Sequence, residues 1–138
     1  MKIFGIGLNK TGTTTLGHCL KTLGYKHLSA RRELLVAYRE GRMHDVFPVL
    51  DRYDSFDDWP YPLMYRELFE HYDDAKFVLT VRNSPESWLN SLRKHSLTTP
   101  PIRHCRKLAY GHDYPYGNED AHLAFYRKHN ADVAAFFE

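Results

Sequence analysis

The first 24 residues constrain the fold of this chain more than any other stretch does. Residues 2–7, KIFGIG, form a short apolar run that ends in glycine, which is typical of a buried strand. From Thr13 onward, leucines recur at the spacing of one helix face, and Gly24 supplies a stop signal. A strand, a glycine-rich loop and a helix are therefore predicted in direct succession, as in the opening unit of a parallel sheet.

A second unit of the same kind lies in the second half of the chain. Residues 76–81, KFVLTV, form an almost uninterrupted apolar run, as expected of a strand buried on both faces. Ser84 is placed to cap the helix that follows, and Pro85 suits its first turn. Alternating strands and helices predict an α/β fold with a central parallel sheet.

The other segments carry weaker signals. Residues 52–62 interrupt the periodic pattern with acids, aromatics and prolines. Ser29 is placed to cap the helix that follows it. The sequence predicts a short strand at 25–28, helices at 30–40, 42–50 and 62–72, a short helix around 102–109, and a last helix from about 120.

Composition limits the functional classes. The 138 residues suit one domain, 1–138, with 43% apolar and 26% charged residues. A net charge of +2 is too balanced to predict nucleic-acid binding. The sequence has no apolar run long enough for a membrane span and no secretory signal, so a cytoplasmic protein is predicted.

Two isolated cysteines are expected to be reduced, Cys19 in the core and Cys105 exposed. The nine histidines are scattered, which predicts no metal site.

The glycine-rich loop has the frame of an anion-binding loop. Gly7 and Gly12 bracket four residues, and hydroxyl side chains follow at the start of the helix. Free backbone N–H groups and the helix dipole favour an anion at such a position. A nucleotide-hydrolysing loop carries lysine directly after the second glycine, where this chain has Thr13, whereas Lys10 lies inside the loop. The displaced lysine suggests transfer of a group with less charge than a terminal phosphate, without a metal ion.

These motifs resemble those of the sulfotransferases. KTGTTTL after a strand is similar to their 5′-phosphosulfate loop, and FVLTVRNSPESWLNS is similar to their 3′-phosphate motif. YDSFDDWPYPLMYREL is similar to the corresponding segment of a small, cytosolic-type branch, so the resemblance covers essentially the whole chain. It implies a P-loop-type fold of three αβα layers that is incomplete at its C-terminus, because family members continue with another strand.

The resemblance also implies a donor, 3′-phosphoadenosine 5′-phosphosulfate, and a set of residues that hold it. Lys10 would bond the bridging and sulfuryl oxygens, and Arg82 would bind the 3′-phosphate. Ser91 would be its partner, although it lies one residue beyond the usual spacing, so Asn90 remains a candidate. The complete set implied for the donor is Lys10, Thr11, Gly12, Thr13, Thr14, Thr15, Arg82, Asn90 and Ser91.

The acceptor and its base are less defined. The acceptor would be a hydroxyl or amine of a small molecule, glycan or lipid, and the oligomeric state is left open. Where many members carry a base histidine before an apolar residue and proline, this chain has Asp58, with Asp57 and Asp54 behind it. Asp58 is the candidate base, but an N-cap role for the following helix is equally compatible with its position.

Two functions other than sulfuryl transfer also fit the sequence. The loop is also compatible with a P-loop small-molecule kinase or with a non-catalytic nucleotide-binding relative or fragment.

The basic group Arg103, His104, Arg106 and Lys107 is typical of a solvated face, with contact to an anionic ligand as the alternative.

Overall fold

The computed structural model describes residues 1–102 and 104–138, which fold into a parallel sheet covered by helices. The strands are β1 (Ile3–Gly5), β2 (His27–Leu28), β3 (Ser55–Phe56) and β4 (Lys76–Val78). The helices are α1 (Thr13–Thr22), α2 (Arg32–Arg39), α3 (Met43–Leu50), α4 (Tyr65–His71), α5 (Pro85–Thr98), α6 (Arg106–Tyr110) and α7 (Glu119–Phe136), and a 3-10 turn spans Tyr61–Leu63.

The four strands are all parallel and lie in the order β2-β3-β1-β4. The predicted α/β fold with a parallel sheet is therefore confirmed, although β1 and β4 are shorter than the apolar runs that contain them. The expectation that β4 is buried on both faces is wrong. Lys76 is exposed, Phe77 and Val78 are half-buried, and within residues 1–102 and 104–138 no strand pairs with the outer edge of β4.

Strand β3 was not predicted, because its two residues lie in a stretch without periodicity. Tertiary contacts hold it. Its backbone pairs with β1 on one side and with β2 on the other. Phe56 is fully buried and stacks on Phe4 with ring centroids 4.6 Å apart. This strand carries the acidic pair Asp57 and Asp58 to the carboxyl end of the sheet, beside the end of β1.

Local packing overturns three side-chain expectations. Ser29 does not cap α2, which follows Arg31, because its hydroxyl donates instead to Asp57 Oδ1 at 2.8 Å. Cys19 is exposed on the solvent side of α1, whereas Cys105 is buried beneath the start of α6. Both thiols are free, as expected.

Helix α1 packs unusually closely on the sheet. Its central residue, Gly17, faces the buried side chains of His27 and Asp57, whose Nε2 and Oδ1 atoms lie 3.1 Å apart. A Cβ at Gly17 would lie 2.7 Å from Asp57 Oδ2 and 2.8 Å from His27 Nε2. The glycine therefore lets the helix approach β2 and β3, which fixes the height of the preceding loop above the sheet.

We expect Gly17→Ala to destabilise the protein despite the better helix propensity of alanine. Propensity alone would stabilise α1 by up to about 1 kcal/mol. Overpacking against a buried polar pair costs about 1–3 kcal/mol. A net loss measured by urea denaturation, with the exposed Cys19→Ala as the control on the same helix, would confirm the close approach. A gain in unfolding free energy would contradict it.

Candidate active site

The principal cavity, of about 650 Å³, opens where the carboxyl ends of β1, β3 and β4 meet. Loops that follow three parallel strands therefore supply its walls, which is the usual location of ligand sites in α/β sheets. It is lined by Asn9, Lys10, Gly12, Thr13, Thr14, Ala30, Arg32, Asp58, Trp59, Arg82, Ser91, His95, His104 and Cys105.

The glycine-rich loop presents open backbone donors to this cavity. Gly12 adopts a left-handed conformation with φ of 89° immediately before α1, and no side chain caps the helix. The first amides of a helix have no partners within it, so those of α1 are available to an anion. Lys10 also has a positive φ, of 64°, which is unusual for a residue with a side chain. Such strain clusters at functional sites.

Contacts from α5 and α6 hold the loop in this shape. The indole N–H of buried Trp88 donates to the backbone carbonyl of Asn9 at 2.9 Å. The hydroxyl of Tyr110 donates to the side-chain carbonyl of the same asparagine. Asn9 is itself buried and directly precedes Lys10, so these two bonds fix the backbone from which the lysine side chain leaves.

The threonines of the loop have different surroundings. The hydroxyl of Thr11 is buried and lies 2.7 Å from that of Thr80, so it is occupied in joining the ends of β1 and β4. Thr13 and Thr14 line the cavity, whereas Thr15 is exposed and lies outside the lining. Gly7 is required for the close approach, because a Cβ there would lie 2.2 Å from Thr80 Oγ1.

Asp58 occupies the cavity wall at the end of β3. Its backbone is left-handed, with φ of 68°, and its Oδ1 accepts a hydrogen bond from the amide of Trp59 at 2.8 Å. Burial raises the pKa of Asp58 to about 6, with a smaller upward contribution from Asp57, against the Trp59 amide and Lys10, which lower it. The N-cap interpretation is wrong, since the side chain caps no helix.

The two carboxylates behind Asp58 have other roles. Asp57 is buried and accepts from Ser29, and it faces His27 beneath α1. Asp54 is exposed, and its carboxylate accepts from the backbone amide of Lys26 at 3.0 Å. Neither side chain lines the cavity, so Asp58 is the carboxylate that faces it.

The second predicted motif brings Arg82 and Ser91 to the same cavity. The backbone amide of Arg82 donates to the hydroxyl of Tyr126 at 2.9 Å, which ties the end of β4 to α7. Both Arg82 and Ser91 also line an adjoining pocket of about 470 Å³ beside the N-terminal half of α5. Asn90 faces only this adjoining pocket, and its side-chain carbonyl accepts from Arg93 at 3.2 Å.

Two histidines in the cavity were not predicted as site residues. His104 Nδ1 accepts from the backbone amide of Arg106, so the neutral ring carries its proton on Nε2 and donates to His95 Nε2 at 3.2 Å. Burial lowers the pKa of His104 to about 4, and Arg106, His95 and Lys10 act in the same direction. Burial, then Lys10 and Arg106, lower the pKa of His95. Both rings are therefore neutral at pH 7.

The sequence offered one usable signal for this pair. His95 follows Ser91 by one helical turn on α5, so the two side chains share a face. No comparable pattern marks His104, which reaches the cavity through the segment before α6, nor Arg32 at the start of α2. Of the predicted basic group, His104 lines the cavity, Arg106 is buried against Thr99, Lys107 is exposed, and Arg103 lies outside the described residues.

Comparison with known proteins gives a family and one curated relative. A family model described as "Sulfotransferase domain" matches residues 2–138. "Ava biosynthesis cluster protein M" of Aspergillus versicolor is 32% identical over 115 residues, in an alignment that covers 71% of this chain. The same alignment covers 44% of the relative, so this chain spans less than half of that protein's length.

Two further findings concern the part of the chain that the structure describes. No helix there has both the length and the apolar character needed to cross a membrane. Within that same part, no three His, Cys, Asp or Glu side chains are grouped closely enough to hold a metal ion.

Because the pKa of Asp58 is raised, we expect the stability of the protein to depend on pH. A buried carboxyl whose folded pKa exceeds its unfolded value favours the protonated form, so stability falls as pH rises from about 4 to 6. Asp58→Asn keeps the Trp59 hydrogen bond without the charge. We expect this variant to be more stable than the native protein at pH 7 by roughly 2 kcal/mol, with the difference vanishing near pH 4.

Urea denaturation at pH 4 and pH 7 measures this difference. The matched control is Asp73→Asn, at an exposed position in the loop before β4. An Asp58→Asn variant that is less stable than the native protein at pH 7 would show that the charged carboxylate is stabilising.

Proposed function

The chain belongs to the sulfotransferase domain family, and we propose that it transfers a sulfuryl group from 3′-phosphoadenosine 5′-phosphosulfate to a hydroxyl or amine of a small-molecule, glycan or lipid acceptor. One observation carries this proposal: Lys10 and Arg82, from two separate motifs, line the same cavity. The donor has anionic groups at both ends of its ribose, and these two cations come from the segments that follow the neighbouring strands β1 and β4.

The 5′ end of the donor fits the loop before α1. Uncapped amides from Gly12 to Thr14 would donate to the 5′-phosphate, and the hydroxyl of Thr14 would add a further donor. Thr11 and Thr15 would contribute backbone amides only, because one hydroxyl is occupied and the other lies outside the cavity. The Lys10 ammonium would then bond the bridging and sulfuryl oxygens.

The 3′ end of the donor fits the wall formed by β4 and α5. The guanidinium of Arg82 would bind two phosphate oxygens as a fork, and the hydroxyl of Ser91 would donate to a third. Ser91 faces both the cavity and the adjoining pocket, whereas Asn90 is turned towards Arg93. These contacts favour Ser91 over Asn90 as the main partner of Arg82.

Transfer would proceed by one displacement at sulfur. The acceptor oxygen or nitrogen forms a bond to sulfur while the bond from sulfur to the 5′-phosphate oxygen breaks. The electron pair of that bond remains on the phosphate, where Lys10 stabilises the developing charge. The acceptor's proton passes to Asp58, whose pKa of about 6 makes it a stronger base than an ordinary aspartate while it stays ionised at pH 7. Both ring nitrogens of His104 are already hydrogen-bonded, so the neutral ring of His95 is the one that would face the acceptor, without adding charge.

Calorimetric titration with adenosine 3′,5′-bisphosphate, 5′-AMP and ATP, with and without magnesium, tests the proposal. We expect the bisphosphate to bind most tightly and without dependence on the metal ion. Preference for ATP with magnesium would instead indicate a P-loop small-molecule kinase. Tight bisphosphate binding without sulfuryl transfer to any of a panel of phenols, alcohols and amines would indicate a non-catalytic relative.

Two variants separate the roles of the cations in the same assays. Lys10→Ala should lower transfer by at least about 100-fold because it removes charge stabilisation of the leaving phosphate, while bisphosphate affinity changes little. Arg82→Ala should weaken bisphosphate binding by about tenfold or more, since a charge-assisted fork is lost. The reverse pattern would overturn these assignments.

A further inference from the structure

The adjoining pocket beside α5 contains a cation, Lys94, that lies outside the two sulfotransferase motifs. It is lined by Arg82, Ser84, Glu86, Ser87, Asn90, Ser91 and Lys94. Lys94 follows Asn90 by four positions and Ser91 by three on α5, so it extends the same helix face by one turn. Since Arg82 and Ser91 also line the principal cavity, a ligand group in this pocket is continuous with a ligand in the cavity.

The charges at this wall are compensated unequally. Arg93 pairs with Glu119, and Arg127 pairs with Glu86, each at 3.3 Å. The acidic residue of the pocket, Glu86, therefore already has a cation beside it on the α7 side.

The remaining two cations of the pocket have no such partner. Among the residues that the structure describes, the guanidinium of Arg82 contacts only the hydroxyl of Ser87, at 3.4 Å, and the ammonium of Lys94 contacts no carboxylate. Two uncompensated positive charges thus face one pocket that also contains serine hydroxyls.

This arrangement matches the charge of a phosphate monoester. Such a group carries about −1.5 to −2 charges at pH 7, so a single arginine leaves up to one negative charge without a counterpart. A planar fork and a flexible ammonium complement each other, because the first fixes orientation and the second supplies charge over several positions.

We propose that Lys94 is a specificity-determining residue that, with Arg82, neutralises the 3′-phosphate and sets the preference for adenosine 3′,5′-bisphosphates over 5′-monophosphates. The inference rests on the proposed function, because it takes the ligand to be the donor nucleotide. It assigns to Lys94 a contact that the two motifs do not contain, and it accounts for the second uncompensated charge in the pocket.

Calorimetry on the full chain with two ligands tests the assignment. Lys94→Met should lower affinity for adenosine 3′,5′-bisphosphate by about tenfold at low salt and leave affinity for 5′-AMP within about twofold, since only the first ligand has a 3′-phosphate. Lys94→Arg should restore most of the loss. The matched control, Lys21→Met, removes an exposed lysine at the far end of α1 and should change neither affinity.

The outcomes separate this inference from the proposed function. If the native protein prefers the bisphosphate and Lys94→Met keeps that preference in full, the role of Lys94 is refuted while the proposed function stands. An equal loss for both ligands would also refute it, because a contact to the 3′-phosphate does not act on 5′-AMP. If the native protein shows no preference for the bisphosphate, both proposals fail together.

Discussion

Parallel pairing of β1 with both β3 and β4 determines where the loops that line the principal cavity lie. A parallel register places the carboxyl ends of all three strands at one edge of the sheet, so the loops that follow them must converge. The loop after β1 brings Lys10, the residues after β3 bring Asp58, and the turn after β4 brings Arg82. Two strand pairings, one of two residues and one of three, therefore bring two cations and a carboxylate to the same cavity.

Packing beneath the cavity explains how such short strands hold this geometry. Phe4, Phe56 and Phe77 stack across the three strands at centroid distances of 4.6 and 5.6 Å, so apolar burial supports pairings that contain few hydrogen bonds. On the other side, Asn9 is tied to α5 and α6 by two side chains. Lys10 and Asp58 retain left-handed backbones within this frame, and both line the cavity. Their strain is tolerated because the surrounding core over-determines their positions.

Local pattern was sufficient for the two strand–loop–helix units and for the α/β fold. Glycines, capping residues and helical spacing are properties of adjacent residues, so Gly12, Ser84 and the starts of α1 and α5 could be read directly. Strand β3 has no local signal, because Ser55 and Phe56 become a strand only through pairing on both sides. The same limit applies to Ser29, whose hydroxyl bonds Asp57 across 28 positions rather than capping its own helix.

Two of the site residues that the sequence did not predict, His104 and Arg32, reach the cavity from elements without a motif. His104 precedes the short helix α6, and Arg32 opens α2, so only the tertiary fold places them near Lys10. Likewise, β4 lies at the edge of the described sheet because of the strand order. An apolar run such as KFVLTV does not determine strand order. Its half-buried state could not be derived from hydrophobicity alone.

A crystal structure of the chain with adenosine 3′,5′-bisphosphate bound would locate both phosphates of the ligand. We expect one nucleotide in the principal cavity, with its 5′-phosphate on the amides that open α1 and its 3′-phosphate between Arg82 and Ser91. A nucleotide bound in the reverse orientation, or with either phosphate outside these two positions, would contradict this expectation.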